Sequence, residues 1–259
     1  MLRTAYRRLR RSLWLRLRRY LEDRGLVPRA QPIDLHVAMS RRRDVVVETV
    51  VDVGASDGRW SSQMKRHFPK ATYFLVEAQA TAHREALEQF KAEHANVEFA
   101  LCAAGNADGE IFFDASDPLG GAAGATPFSA HNVVVPMRTV DTLVRERGLR
   151  GPFLLKLDTH GFEAPILDGA RETLPQCSML VIEVYNFTLR PGCLRFYELC
   201  SLLETRGFRC ADVFDVMVRP GDHTLWQMDM VFLPSTHPVF RQDSYHPEPH
   251  SCTRASGGP

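Results

Sequence analysis

At 259 residues, 44% hydrophobic and 24% charged, the chain is long enough to bury the core of one α/β domain. Its formal net charge of +1 is unevenly placed: the first 43 residues hold 13 Arg against Glu22, Asp23 and Asp34, so the rest is net acidic and unsuited to nucleic acid. Six cysteines without a C-x-x-C pair argue against a disulfide scaffold or zinc module, and no apolar run reaches the roughly 18–20 residues of a membrane span.

Residues 1–43 read as a basic extension. Leu2, Tyr6, Leu9, Leu13, Leu17 and Tyr20 recur at steps of three and four between arginines, which predicts an amphipathic helix over 2–21. Such a helix either lies on an anionic membrane surface or packs its stripe on the domain or a second subunit, and both readings stay open. The interrupting arginines do not leave the clean apolar stretch of a secretory signal, and the expected location is cytoplasmic, with peripheral membrane contact if the helix meets lipid.

From residue 44 to 235 short apolar runs alternate with amphipathic segments, the pattern of a parallel sheet with crossover helices. Strands are expected at 49–53, 72–76, 97–101, 153–157, 179–184, 209–213 and 228–233. Helices are expected at 60–67, 80–93, 140–147, 162–173 and 194–206, the last stopped by Gly207. Between Gly105 and Pro136 the alternation lapses into Gly, Ala, Ser and Pro, which suggests a long mobile lid. Residues 236–259 are rich in Pro, His and Ser and are expected to form a flexible tail.

The strongest local signal is Val50-Val51-Asp52-Val53-Gly54-Ala55-Ser56-Asp57-Gly58, an apolar strand entering a glycine turn and then a helix. Gly54 and Gly58 admit a ligand close to the backbone, and Asp52 at the strand end is expected to bond that ligand. The next strand ends in Glu77, followed by Ala78, where an acid bonds ribose hydroxyls. A dinucleotide fold would want G-x-G-x-x-G to admit pyrophosphate, which Asp57 would repel. An adenosyl ligand without phosphate, S-adenosylmethionine, therefore fits better than NAD. Asp52, Gly54, Ala55, Ser56, Gly58, Glu77, Ala78, Asp158, and Leu101 with Cys102 at the third strand tip, make the expected cofactor set.

These residues resemble the FkbM-type methyltransferases. The resemblance rests on five segments in order: Asp52-Val53-Gly54-Ala55-Ser56-Asp57-Gly58, Glu77-Ala78, Thr139-Val140-Asp141-Thr142-Leu143, Lys156-Leu157-Asp158-Thr159-His160-Gly161-Phe162-Glu163, and Val181-Ile182-Glu183. It covers about residues 48 to 235. It implies an α/β, Rossmann-like class I methyltransferase fold, with a seven-stranded, mostly parallel sheet and an antiparallel last strand. It also implies methyl transfer chiefly to hydroxyl oxygen, often on sugars or polyketide-like products. Ser56 stands where the family has Asn, Ala78 where it has Pro, and His160 where it has Glu.

The tips of the fourth and fifth strands lie beside the reactive methyl in such a fold. His160 is the expected general base, with Asp158 holding the cofactor amine or orienting the imidazole. Glu183 and Asn186 are expected to bind acceptor hydroxyls, and Trp226 to offer a stacking surface. A metal-free cluster is favoured over the alternative in which Asp158, His160 and Glu183 ligate Mg or Mn. Asp158-Thr159-His160-Gly161 replaces the N-P-P-Y-like segment of base-directed enzymes, so a saccharide or related hydroxyl is the expected acceptor. The competing reading is a catalytically silent cofactor-binding scaffold or membrane-recruited partner protein, disabled by the change at position 160.

Overall fold

The computed structural model describes residues 44–128 and 131–244. The expected helix over 2–21 and most of the tail lie outside that range. The described chain opens with β1 (Thr49–Val53), α1 (Arg59–Met64), β2 (Thr72–Glu77), α2 (Ala80–Glu93) and β3 (Val97–Leu101). Four further strands follow: β4 (Ala103–Ala104), β5 (Gly109–Asp114), β6 (Ala122–Gly124) and β7 (Asn132–Arg138). It then runs through α3 (Val140–Glu146), β8 (Phe153–Leu157), α4 (Glu163–Asp168), β9 (Cys177–Tyr185), α5 (Phe196–Thr205), β10 (Phe208–Val218) and β11 (Leu225–Pro234).

Seven strands form the main sheet in the order β10-β11-β9-β8-β1-β2-β3. Neighbours from β3 to β9 pair in parallel, while β11 runs antiparallel to both β9 and β10. This is the architecture the resemblance implies. The central strands are apolar on both faces because helices cover both. Val51, Val53, Phe74, Val76, Leu155 and Leu157 join one core, and Val50, Tyr73, Leu75 and Leu154 the other. The chain order turns back between β1 and β8, so a crevice opens at the carboxyl ends of those strands, where open α/β sheets bind ligands.

Three expectations need correction. The segment from 105 to 136, read as a lid without regular structure, contributes to a second sheet of order β4-β7-β5-β6. Its alternation is real but muted by small residues: Ile111, Phe113, Ala123 and Met137 face a small core of their own. The helix expected over 162–173 stops at Asp168, because Gly169 passes against the carbonyl of Gly105, where a Cβ would stand 2.0 Å from the oxygen. The start of the tail is also anchored, with Val239 and Phe240 packed on the core and the Arg209 guanidinium 4.5 Å from the Phe240 ring centroid.

The segment Thr139–Leu143 proves structural. Thr139 caps α3, its hydroxyl accepting from Thr142 N at 3.0 Å. Asp141 bonds the chain beyond α4: Oδ1 accepts from Thr173 N at 2.8 Å and Thr173 Oγ1 at 2.7 Å, and Oδ2 from Glu172 N at 2.9 Å. Hydrogen bonds to a carboxylate are the strong kind, so Asp141→Ala is expected to cost about 2–4 kcal/mol. Urea unfolding would show the lowered midpoint, while ligand affinity at the crevice stays unchanged.

Candidate active site

The crevice is walled by three strand tips and roofed by the second sheet. Its lining includes Gly54, Ala55, Ser56, Glu77, Ala78, Cys102, Asp158 and His160 from the expected set, joined by Trp60, Gln79, Ala103, Phe113, Gly121 and Phe162. Gly54 holds φ +78°, and a Cβ there would stand 2.0 Å from the Asp158 carbonyl oxygen. A side chain at 54 would therefore force the β1 and β8 tips apart.

Glu77, 6% exposed at the end of β2, is the organiser of one end. Its Oε2 accepts from Ser56 N at 2.7 Å and its Oε1 from Gln79 N at 2.7 Å. Each oxygen keeps a further lone pair, so the carboxylate ties two loops together and can still accept from a diol. Beside it the Ser56 hydroxyl is buried without a protein partner, although Ser56 lines the crevice. A buried, unpaired hydroxyl at a cleft wall is what a bound polar ligand would satisfy.

Asp52 is elsewhere. It is 0% exposed and lies beneath the crevice, not in its wall, with Oδ2 accepting from Ser61 Oγ at 2.7 Å. Its Oδ1 faces Lys156 Nζ at 3.3 Å, and the same ammonium lies 3.0 Å from Asp158 Oδ2. The pairing follows from register, since Asp52 and Lys156 sit opposite each other on the parallel strands β1 and β8. Burial alone would strip the Lys156 proton, but the carboxylates of Asp158 and Asp52 outweigh it and raise its proton affinity above the ordinary lysine value. Burial would raise Asp158 in turn, yet Lys156 holds it below the usual carboxylate range. Gly58 and Leu101 also stand outside the wall: Gly58 packs at the start of α1 near Phe90, and Leu101 pairs with Glu77 in the sheet.

At the other end the lining residues Asp158 and His160 converge with Glu183, which is not itself part of the lining. The His160 Nδ1 lies 2.9 Å from the Gly121 carbonyl oxygen. A carbonyl only accepts, so Nδ1 carries a proton and Nε2 is the nitrogen turned away from the carbonyl. That Nε2 faces Asp158 Oδ1 at 3.7 Å and Glu183 Oε1 at 3.7 Å. The turn that presents the imidazole holds His160 at φ +52°, a left-handed conformation that is strained for a side-chain-bearing residue. Glu163 stabilises it from below, one oxygen accepting from Gly161 N at 3.0 Å and Thr159 Oγ1 at 3.1 Å. Burial raises Glu163 against those bonds.

Glu183 is fixed by two donors, the Tyr185 hydroxyl to Oε1 and Gln227 Nε2 to Oε2 at 2.7 Å. Burial, then the charge of Asp158, pushes its carboxyl up to about 7. Across the sheet Asp229 sits in register with Glu183, and burial with the charges of Glu183 and Asp158 pushes it up to about 8. Asn186 and Trp226 do not line the crevice. Asn186 is committed to β11, its N–H donating to the Trp226 carbonyl at 2.9 Å and its Nδ2 to the Leu225 carbonyl at 3.2 Å. The Trp226 ring is packed against Phe187, centroids 5.4 Å apart, and Tyr185, 6.0 Å apart.

Sequence reasoning missed Gly121, Gln79, His83, Tyr185 and Gln227. Gly121 belongs to the roof, and the other two hold its turn from α2: Gln79 Nε2 donates to the Asp117 carbonyl at 3.0 Å, and His83 Nε2 lies 2.7 Å from the Pro118 carbonyl. The signal for this turn was Pro118-Leu-Gly-Gly, and glycine fits at 121 because a Cβ would sit 2.6 Å from the buried Phe113 ring. Tyr185 and Gln227 had no signal short of the β9–β11 register.

Residues 52–210 match the family model described as the methyltransferase FkbM domain. No protein in the curated comparison matches the chain. Among solved structures, one described as methyltransferase FkbM from Methylobacillus flagellatus KT aligns at 16% identity and a TM-score of 0.45. The alignment covers 71% of this chain but 43% of that one, so this chain spans less than half its length. An rRNA methylase from Streptococcus thermophilus aligns at 12% identity and a TM-score of 0.44, covering 80% of this chain and 99% of that one. An uncharacterized protein from Listeria monocytogenes serotype 4b aligns at 10% and 0.45, covering 82% and 71%.

Proposed function

Because the chain belongs to the FkbM methyltransferase family, whose members imply S-adenosylmethionine as methyl donor, we propose that it transfers that methyl to a hydroxyl oxygen of a saccharide or related polyhydroxy metabolite. When bound, the donor supplies a methyl on a sulfonium sulfur, an electrophile open to in-line attack. The residues present fit it. Glu77 offers acceptor lone pairs for a ribose diol, the orphan Ser56 hydroxyl awaits a polar group, and Cys102, Ala103 and Phe113 offer apolar surface.

The observation that carries the acceptor's identity is the trio at the far end. Two carboxylates and the imidazole Nε2 would hold a hydroxyl there and favour loss of its proton as the oxygen takes the methyl. The second sheet covers part of the crevice through Phe113, Gly121 and Ala123. No described helix is long and apolar enough to cross a membrane. Contact of residues 2–21 with an anionic lipid surface, which would bring the enzyme to a lipid-linked glycan, belongs to the same proposal.

Calorimetric titration with S-adenosylhomocysteine tests the donor half. One site per chain is expected, and Ser56→Ala is expected to weaken it by roughly 3- to 10-fold, the worth of one hydrogen bond. No binding by folded protein would defeat the reading.

A further inference from the structure

We propose that Asp158, His160 and Glu183 bind one divalent cation of the Mn²⁺ type, whose remaining positions take two adjacent oxygens of the acceptor. The donor set was visible in the sequence as the less favoured alternative, and three features of the structure reverse that preference.

First, the geometry nearly fits. The three ligand atoms lie within 4.8 Å of one another, with His160 Nε2 3.7 Å from each carboxylate oxygen. The centre of such a triangle lies about 2.4 Å from each corner, inside the roughly 2.0–2.6 Å at which divalent cations meet oxygen or nitrogen ligands. Second, the bond from His160 Nδ1 to the Gly121 carbonyl leaves Nε2 as the ring nitrogen that meets the two carboxylate oxygens. A cation between them would take one donor atom from each of the three side chains.

Third, an outer partner orients every ligand: Gly121 O for His160, Lys156 for Asp158, and Gln227 with Tyr185 for Glu183. Metal centres are built this way, since the outer bond sets the tautomer and ring orientation of the inner ligand. One nitrogen in an oxygen set favours Mn²⁺ over the harder Mg²⁺ and Ca²⁺.

Three protein ligands on one side leave coordination positions toward the crevice. A vicinal diol or an α-hydroxy acid fills two of them through adjacent oxygens. A cation there lowers the pKa of the hydroxyl it polarises, and the released proton passes to solvent. His160 is then a ligand and not the base that its sequence position suggests.

This inference rests on the methyl-transfer reading only for what the acceptor is. Its test is Mn²⁺ titration followed by electron paramagnetic resonance, run beside S-adenosylhomocysteine calorimetry on the same full-length protein. One Mn²⁺ site is expected, weakened at least roughly 100-fold by His160→Ala, beyond what loss of an outer partner alone causes, and likewise by Glu183→Gln. Both variants are expected to keep S-adenosylhomocysteine binding, which also reports that they fold. Absence of a Mn²⁺ site in the wild type, or a site indifferent to both substitutions, overturns the cation and leaves the methyltransferase reading untouched. Loss of S-adenosylhomocysteine binding in the wild type overturns that reading instead.

Discussion

Asp52→Ala is expected to unfold the domain and not merely to empty its site. The carboxylate is wholly buried, accepts from Ser61 and pairs with Lys156, itself only 4% exposed. Removing one of the two carboxylates that pair with a buried ammonium leaves that charge only partly compensated, at a cost of up to about 3–5 kcal/mol, a large part of a domain's whole stability. Asp158 would remain as the direct ion-pair partner of Lys156, and its side chain would be drawn toward Lys156 and away from His160. Chemical denaturation should show the loss at any ligand concentration. If Asp52→Ala kept its stability and lost only S-adenosylhomocysteine, the residue would be a ligand contact as its sequence position suggests.

The second large effect is at Glu77. Glu77→Ala removes the acceptor proposed for the ribose diol and frees the Ser56 and Gln79 amides that the carboxylate holds. Charge-assisted hydrogen bonds are worth about 1.5–3 kcal/mol each, so two of them lost should weaken S-adenosylhomocysteine by roughly 100-fold or more. Glu77→Gln should fall between, because one amide oxygen still accepts while the NH₂ cannot. A Glu77→Ala protein that bound with unchanged affinity would place the ribose elsewhere.

The contrast between these two acids shows where the sequence is legible. Both stand at the ends of apolar strands, and both invite the same reading as ligand contacts. Only the strand register separates them: β1 and β8 place Asp52 opposite Lys156, a residue 104 positions later that local pattern cannot connect to it. Glu77 has no such partner across the sheet and turns instead to backbone amides at the crevice wall.

Elements behave similarly. The strands at 49–53, 97–101 and 153–157 and the helix at 80–93 match because a continuous apolar run or a full amphipathic repeat overrides local noise. The second sheet was hidden because Gly109, Ala122, Ala123 and Gly124 are poor strand formers; Ala122 and Ala123 are buried, and a Cβ on Gly124 would stand 2.7 Å from the Phe128 ring. Asn186 and Trp226 were read as acceptor contacts from their position beside a strand tip. Their hydrogen bonds and ring contacts run to β11 and Phe187, which single-sequence spacing does not reveal.

The centre of Asp158, His160 and Glu183 was assembled from three sequence signals, but its outer partners came from three different places. Gly121 lies in the roof, Lys156 on the same strand as Asp158, and Gln227 on the antiparallel last strand. Those contacts, and not the identity of the three ligands, distinguish a built site from a coincidence of polar residues.

Methyl transfer to oxygen is tested most directly by supplying S-adenosylmethionine carrying a ¹³C-labelled methyl together with Mn²⁺ and a panel of sugars and sugar acids bearing vicinal hydroxyls. Nuclear magnetic resonance then reads the atom to which the label moves. A methyl-ether signal that requires the acceptor, and that disappears with Glu183→Gln, is the predicted result. Label appearing on nitrogen or sulfur of an added amine or thiol acceptor, with none on oxygen, would contradict it.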